Sequence, residues 1–186
     1  MQSIINYFNK PVLKISLIFG VITGLLAFVF FLALYFVGVA PLSNIRVLDM
    51  GIFIILISGA CWYYRKNVGK GLLHLYEALT IGYVVLCVAA IINGWLIYLF
   101  VSYIDPSVFT NYIDAGLQLL AKDRKTQLSY LTDPEFVAMY KEVQLNKPSI
   151  IIKNEIVQKF IIGIIPILIV SLIFRKQDYG IYSNKP

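Results

Sequence analysis

Four long apolar stretches alternate with polar segments along the 186-residue chain. They lie at about residues 13–39, 47–64, 78–103 and 156–174. A helix needs about 20 mostly apolar residues to cross a bilayer, because each of its backbone polar groups must find a partner within the segment. The pattern therefore predicts an all-α fold, an integral membrane four-helix bundle that residues 1–186 form as a single membrane domain.

The cations near the ends of these stretches indicate the orientation of the bundle. The N-terminal region, the loop between the second and third spans and the C-terminal tail carry eight Lys and Arg residues, against two acids, Glu77 and Asp178. The opposite side also has eight cations, but eight acids balance them. Because cytoplasmic loops are enriched in Lys and Arg, we expect both termini in the cytoplasm and the segment 104–155 outside.

This outer segment, residues 104–155, is too polar to cross a membrane but has a pattern of its own. Asp105 and Pro106 form a helix-start signal, and Thr132 and Glu135 have the spacing of a capping box. Each signal precedes apolar residues at helical spacing: Phe109, Ile113, Leu117 and Leu120 follow the first, and Phe136, Tyr140 and Val143 follow the second. We expect two amphipathic helices, on the membrane boundary or against the end of the bundle.

Composition supports the membrane assignment and argues against other classes. Hydrophobic residues make up 59% of the chain and charged residues 14%, whereas about a quarter of a soluble domain is charged. The net charge of +6 lies beside apolar spans, so it is typical of a topology signal and not of a nucleic-acid-binding surface. The uncharged run Ile15–Val39 is much longer than the core of a signal peptide, and we expect the first span to be retained.

Small and polar residues inside the spans predict where helices pack. Gly20 and Gly24 form a G-x-x-x-G pair in the first span, and Ala90 and Gly94 repeat that spacing in the third. Such pairs let two helix backbones approach closely. Asn93 lies beside the second pair, where an amide either packs across a helix interface or belongs to a lipid or substrate site.

Four polar residues at the span ends are candidate contacts for a partner protein or a lipid: Arg65, His74, Glu77 and Asp105. Glu77 either pairs with Arg65 across the inner loop or interacts with backbone amides at the start of the third span. His74 is the single histidine, so a histidine-based metal cluster is excluded.

Signals of catalysis and transport are weak. The sequence contains no zinc-protease helix, no nucleophile elbow and no pair of intramembrane carboxylates. The acids of the outer segment are interleaved with cations, as on a solvated face. Asp49 and Lys159 lie near the ends of their spans and predict no ion or proton path. We therefore expect neither an enzyme nor a cofactor or metal site.

Short motifs flank the predicted spans. They are Asn9-Lys10-Pro11 ahead of Leu17-Ile18-Phe19-Gly20, Tyr64-Arg65-Lys66 with Gly71, Glu77-Ala78-Leu79 ahead of Gly82, and Ile104-Asp105-Pro106. In these motifs the chain resembles a bacterial family of small membrane proteins known only as a domain of unknown function, DUF4199. The resemblance implies four spans, a variable outer segment and no catalytic residues to transfer. It also implies genes that are often located near those of membrane glycosyltransferases of the polyprenyl-phosphate type, which would suit an accessory subunit.

Three functions remain open, of which an enzyme that acts at the outer boundary through the acids of residues 104–155 is the least favoured. The small-residue helix faces and the two outer helices favour a non-catalytic accessory or scaffold subunit of a bacterial inner-membrane complex, such as one that anchors a membrane glycosyltransferase. The alternative is a lipid-binding or small-molecule transport module that uses a groove near Asn93. In either case the expected partners are the lipid bilayer and one or more membrane proteins, and not nucleic acid.

Overall fold

The computed structural model describes residues 10–124 and 130–176, and within them the chain is helical. The α-helices are α1 (Pro11–Phe36), α2 (Met50–Asn67), α3 (Leu75–Leu99), α4 (Ser107–Asp123), α5 (Asp133–Gln144) and α6 (Ile150–Phe174). A 3₁₀ helix, Asn44–Asp49, precedes α2, and a π-helical turn, Phe100–Ile104, extends α3. Asn9, Lys125, Asp178 and Lys185, which entered the sequence motifs or the charge count, lie outside the described residues.

Four helical segments are long and apolar enough to cross a membrane: Pro11–Phe36, Asn44–Asn67, Leu75–Ile104 and Ile150–Phe174. The predicted four-span bundle with a helical segment between spans three and four is confirmed. We call the side of the bundle that carries α4 and α5 the loop side. The opposite side, where α1 begins and α6 ends, is the termini side.

The largest difference from the predicted boundaries lies at the start of the fourth span. Hydropathy placed that start at residue 156, whereas α6 begins at Ile150 and includes Lys153 and Glu155 in its first turns. Glu155 is fully buried. A sequence average counts any charge as the end of a span, but a charge with a partner inside the bundle does not end it.

The third span is the centre of the bundle, since α3 packs against α1, α2 and α6. Two glycines of α1 let it approach α3 closely: a Cβ on Gly20 would lie 2.8 Å from Val88 Cβ, and one on Gly24 would lie 2.9 Å from Ile92 Cβ. A glycine of α3 does the same against α6, since a Cβ on Gly82 would lie 2.6 Å from a methyl group of Ile167. Backbone contact between spans therefore depends on residues without side chains.

On the loop side, α4 packs across the end of the bundle. Val108 and Phe109 on its apolar face join a buried cluster whose other members come from the spans and from the turn after α1, namely Phe31, Leu42, Ile97, Phe100, Val101 and Ile151. The predicted start of α4 forms, because Asp105 Oδ1 accepts hydrogen bonds from the Ser107 backbone N–H at 3.0 Å and the Ser107 hydroxyl at 2.6 Å. The helix α5 packs on α4.

On the termini side, the loop between α2 and α3 is fastened to the end of α6. Leu73 and Lys176 exchange two backbone hydrogen bonds of 2.9 and 3.0 Å. Arg65 donates a longer bond, 3.4 Å, to the carbonyl of Phe174. These contacts hold α3 and α6 in register at this end.

Candidate functional site

Five polar side chains form a buried network near the loop side of the bundle. The 3₁₀ helix contributes Arg46 and Asp49, α3 contributes Asn93, and α6 contributes Glu155 and Lys159. Asp49, Asn93, Glu155 and Lys159 are at most 1% exposed, and Arg46 is 8% exposed. Polar groups buried inside a membrane bundle are costly unless paired, so a cluster of this kind is a candidate functional site.

Lys159 lies at one end of the network. Its ammonium group forms an ion pair with Asp49 Oδ1 and lies 3.7 Å from Glu155 Oε1, one helical turn earlier. The ring of Phe53 covers it, with 5.1 Å between Nζ and the ring centroid. The cation is thus enclosed by two carboxylates and an aromatic face.

Glu155 links the three elements. Its Oε2 lies 3.0 Å from Arg46 Nη2, and its Oε1 accepts a hydrogen bond of 2.8 Å from Asn93 Nδ2. The neighbouring Gly94 makes this contact possible, since a Cβ there would lie 3.3 Å from both Glu155 Cβ and Ile152 Cα. The local sequence Asn93-Gly94 therefore supplies both the donor and the space that it needs.

The network is electrically balanced, because two cations face two carboxylates. Its depth also lowers the cost of burial. Asn93 lies 18 residues beyond Leu75, which at 1.5 Å per residue is about 27 Å along α3. In a hydrocarbon layer of about 30 Å the network would lie close to the loop-side boundary, where polar groups are less costly than at the bilayer centre.

From the sequence, Asp49 and Lys159 are only charges near the ends of their spans, and they predict no ion or proton path. The structure adds that the two side chains form a buried ion pair. One signal could have found the network: Glu155, Lys159 and Gly163 are spaced by four residues and share the buried face of α6. A charge on the same face as a packing glycine cannot point to lipid.

An open groove on the surface of the bundle reaches one member of the network, Arg46. It has a volume of about 520 Å³ and is lined by Arg46, Tyr112, Lys153, Asn154, Val157, Gln158, Ile161 and Ile162. Arg46 Nη2 donates a hydrogen bond of 2.8 Å to Gln158 Oε1 at its floor. Asn93 lines none of this groove. Arg46 is thus the member of the network that a ligand would meet first.

The other predicted contact residues do not join the network. On the termini side, Glu77 accepts a hydrogen bond of 2.8 Å from the Tyr64 hydroxyl and one of 2.9 Å from the His74 backbone N–H. Glu77 thus interacts with the helix start, as one of its two alternatives proposed, and Arg65 bonds to Phe174 instead. The His74 ring stacks on Tyr76, with 5.6 Å between centroids.

Asp105 lies on the loop side, at a second cavity. This cavity, of about 360 Å³, lies between the turn that follows α1 and the start of α4. Asp105 Oδ2 accepts a hydrogen bond of 2.9 Å from the Tyr35 hydroxyl. Hydrogen bonds from Ser107 and Tyr35 hold the pKa of the Asp105 carboxyl below its usual value. Three hydrogen bonds from the protein itself thus hold this carboxylate in place.

Among residues 10–124 and 130–176, no group of three or more His, Cys, Asp or Glu side chains is arranged to hold a metal ion. The candidate site is thus defined by ion pairs and by a groove.

Comparison with known proteins gives one match. A family model described as "Protein of unknown function (DUF4199)" matches residues 18–176. No curated protein and no solved structure matches the chain.

Proposed function

Since the chain belongs to the DUF4199 family, whose function is unknown, we propose from its geometry that it is a non-catalytic accessory or scaffold subunit of a protein complex in the bacterial inner membrane. The observation that supports this is α5, a well-formed helix that packs on α4 along one side and that the other described residues leave largely exposed. Of its twelve residues only Phe136 is buried.

Several specific contacts hold the N-terminal part of α5 in place. Its N-terminus has a reciprocal capping box, in which the Thr132 backbone N–H and hydroxyl donate to Glu135 at 2.9 and 2.8 Å. Arg124 lies over the Phe136 ring, 4.5 Å from its centroid. A helix of this length is marginal in water by itself, so these contacts maintain a surface that the bundle does not use.

That surface carries apolar residues suited to a protein partner. Val137 is 48% exposed and Leu145 is 77% exposed, and charged residues such as Lys141 and Glu142 lie between them. Exposed apolar side chains interspersed with charged ones have the average composition of a protein interface.

The buried network supports the same role because it fixes the start of α6, the helix that follows α5 in the chain. The chain passes from Gln144 to Ile150 between α5 and α6, and Glu155 and Lys159 hold the first turns of α6 to α3 and the 3₁₀ helix. A partner docked on α5 would therefore be held at a defined position relative to the spans.

The charge distribution supports an orientation with both termini in the cytoplasm and α5 outside. The described residues of the termini side carry one acid, Glu77, beside the cations Lys10, Lys14, Arg65, Lys66, Lys70, Arg175 and Lys176. On the loop side, Arg46 and Lys159 are buried in ion pairs, which weakens the positive signal there further.

Photocrosslinking in native membranes tests the subunit role. A benzophenone amino acid would replace Val137 on α5 or Leu145, the residue directly after its last turn; we call these two the α5 positions. Ile165 on the lipid-facing side of α6 is the matched control position. We expect a discrete protein adduct from the α5 positions and only lipid adducts from Ile165. Mass spectrometry of the adduct would show whether it is a membrane glycosyltransferase. Absence of a protein adduct from both α5 positions, at native expression level, would refute the proposal.

Cysteine labelling tests the orientation. In a chain with Cys61 and Cys87 replaced by Ala, a single cysteine at Ala138 or at Lys70 would be treated with a membrane-impermeant maleimide on intact cells. We expect labelling at position 138 only. Labelling at position 70 would reverse the proposed topology.

A further inference from the structure

The groove beside the network combines a cationic end with an apolar side. Lys153, Val157 and Ile161 follow one another at four-residue spacing, so they share one face of α6, and all three are exposed. At 1.5 Å per residue, Lys153 and Ile161 are about 12 Å apart along the helix. The face therefore begins with a cation near the loop-side boundary and continues as hydrocarbon toward the bilayer.

The cations at this end retain capacity for an anion. The contacts of Arg46 with other described residues all involve Nη2, which bonds to Gln158 and pairs with Glu155, so Nε and Nη1 are left for a ligand. Lys153 forms no ion pair within the described part of the chain. Glu155 balances Arg46, and the groove as a whole keeps one positive charge.

Arg46 is also built into the groove and not merely near it. Its side chain is nine-tenths buried, and the two groups that hold it, Glu155 and Gln158, both belong to α6. A guanidinium held in a fixed plane loses little conformational freedom when it binds an anion, and its geometry matches a phosphate.

We propose that this groove binds an anionic phospholipid of the loop-side leaflet. The headgroup phosphate contacts the Nε and Nη1 edge of Arg46 and the ammonium of Lys153, and an acyl chain lies along Val157, Ile161 and Ile162. This lipid site is independent of the docking role proposed for α5, because no residue of α5 lines the groove.

A lipid accounts for features that a soluble anion would not require. The groove is lined by four apolar or aromatic side chains in addition to its polar ones, namely Tyr112, Val157, Ile161 and Ile162. Its apolar part continues along the face of α6 that carries Ile164, Ile165 and Leu168, all exposed. A free phosphate would contact only the polar end, whereas an amphiphile contacts both.

Native mass spectrometry of the delipidated, full-length protein tests the site. The protein in detergent would be titrated with dioleoylphosphatidylglycerol and, separately, with dioleoylphosphatidylcholine, which has the same chains but no net charge. We expect tighter binding of phosphatidylglycerol. Lys153→Gln should weaken it about fivefold, because one cation near the surface contributes roughly that factor. Lys141→Gln, the same change on α5, should leave it unaltered.

A second pair of variants tests the apolar part of the groove without altering charge. Ile161→Trp fills the groove and should weaken binding of both lipids, whereas Ile173→Trp, twelve residues further along α6 at its termini-side end, should not. Both positions are about two-thirds exposed (66% and 69%), so neither change threatens folding. Arg46→Lys keeps the charge beside Glu155 and should lower affinity through loss of the planar group.

Three results would overturn the proposal. Equal affinity for the two lipids would show that the charge of the headgroup is not recognised. Unchanged phosphatidylglycerol binding in both Lys153→Gln and Ile161→Trp would show that the lipid does not bind in the groove. Full displacement of the lipid by inorganic phosphate, together with phosphate binding that Ile161→Trp leaves intact, would assign the site to a free anion.

Discussion

Two faces of α3 are joined to their neighbours by different means. Against α1 the contact depends on shape, because Gly20 and Gly24 bring the backbones together around Val88 and Ile92. Against the start of α6 it depends on chemistry, because Asn93 bonds to Glu155, which pairs in turn with Arg46. Lipid tails are as apolar as the side chains, so burial alone gives little drive for helix association. Each of these two interfaces therefore needs a specific interaction. We call the contact of α1 with α3 at Gly20 and Gly24 the glycine seam, and the contact of α3 with α6 at Asn93 and Glu155, together with Arg46, Asp49 and Lys159, the polar seam. The two should respond differently to mutation.

The positions of the two seams fit their chemistry. Gly20 and Gly24 lie well inside α1, where only van der Waals contact is available at low cost. The polar seam lies near the loop-side boundary, next to a groove that reaches Arg46. A polar network at this depth can interact with the headgroup region, which a glycine contact cannot do. The comparison predicts that the glycine seam is sensitive to added volume and the polar seam to loss of a partner.

The largest effect is expected from Lys159→Met, which removes one cation from the polar seam. Asp49 and Glu155 then share only Arg46, and one buried carboxylate loses its partner. Breaking a buried ion pair in this way costs about 3–5 kcal/mol. The free energy of unfolding in mixed micelles, followed by circular dichroism during titration with denaturing detergent, measures the loss. Lys153→Met, on the exposed face of the same helix, is the control.

A double variant separates the ion pair from simple packing. Lys159→Met combined with Asp49→Leu removes both charges and leaves Glu155 paired with Arg46. We expect it to recover a large part of the lost stability, because a neutral interior replaces an uncompensated charge. If the double variant were as unstable as the sum of the two single variants, the pair would not be the source of the loss.

The glycine seam should respond next most strongly, and to volume alone. In Gly24→Ala the new Cβ would lie 2.9 Å from Ile92 Cβ and 3.0 Å from the Ala89 carbonyl oxygen, so α1 must move away from α3. Overpacking of this kind costs about 1–3 kcal/mol. Gly51→Ala in α2, where no atom lies within 4 Å of the new Cβ, should cost nothing. The same unfolding assay compares them, and equal effects would contradict the seam.

Asn93→Leu should have a smaller effect. It removes the hydrogen bond to Glu155 Oε1 but keeps the volume, and interhelical hydrogen bonds in membranes contribute about 0.6 kcal/mol on average. In a cycle with Glu155→Gln, we expect the two changes to be non-additive. Because Asn93 does not line the groove at Arg46, affinity for phosphatidylglycerol should be retained. Loss of that affinity would instead support the lipid-binding groove near Asn93 that the sequence suggested.

The sequence predicted the parts of this molecule that depend on local pattern. Spans follow from runs of apolar residues, and the starts of α4 and α5 follow from Asp105 and from Thr132 with Glu135, because a helix cap is made by residues within one turn. Glu77 belongs to the same class, since its bond to the His74 backbone is local. These predictions needed no knowledge of the fold.

The four-residue spacing of Glu155, Lys159 and Gly163 could indicate a buried polar face on α6, but the partners of these charges could not be predicted from local pattern. Lys159 and Asp49 are 110 residues apart in sequence, and Asn93 and Glu155 are 62 apart. A hydropathy average assigns a cost to each charge as if it faced lipid, so Glu155 was placed outside the fourth span. Only the packing of α6 on α3 shows that each charge has a partner. The hydropathy average that correctly identified the spans therefore gave no indication of the buried network.

The smallest expected effect is a loss of amide protection in α5 at low pH, which distinguishes this capped helix from the two seams. Two hydrogen bonds from Thr132 lower the pKa of the Glu135 carboxyl from its usual value of 4.5; the backbone N–H has the larger effect and the hydroxyl the smaller one. Since the folded pKa lies below the unfolded one, the stabilisation is complete above about pH 4.5 and is lost as the pH falls through the lowered value. Hydrogen exchange of α5 amides, corrected for the intrinsic pH dependence, should show decreasing protection in that range. Glu135→Gln keeps the capping bond but cannot titrate, and Asp133 is present in both proteins. The difference between them therefore isolates Glu135, and an identical pH profile would mean that its carboxylate does not hold the helix.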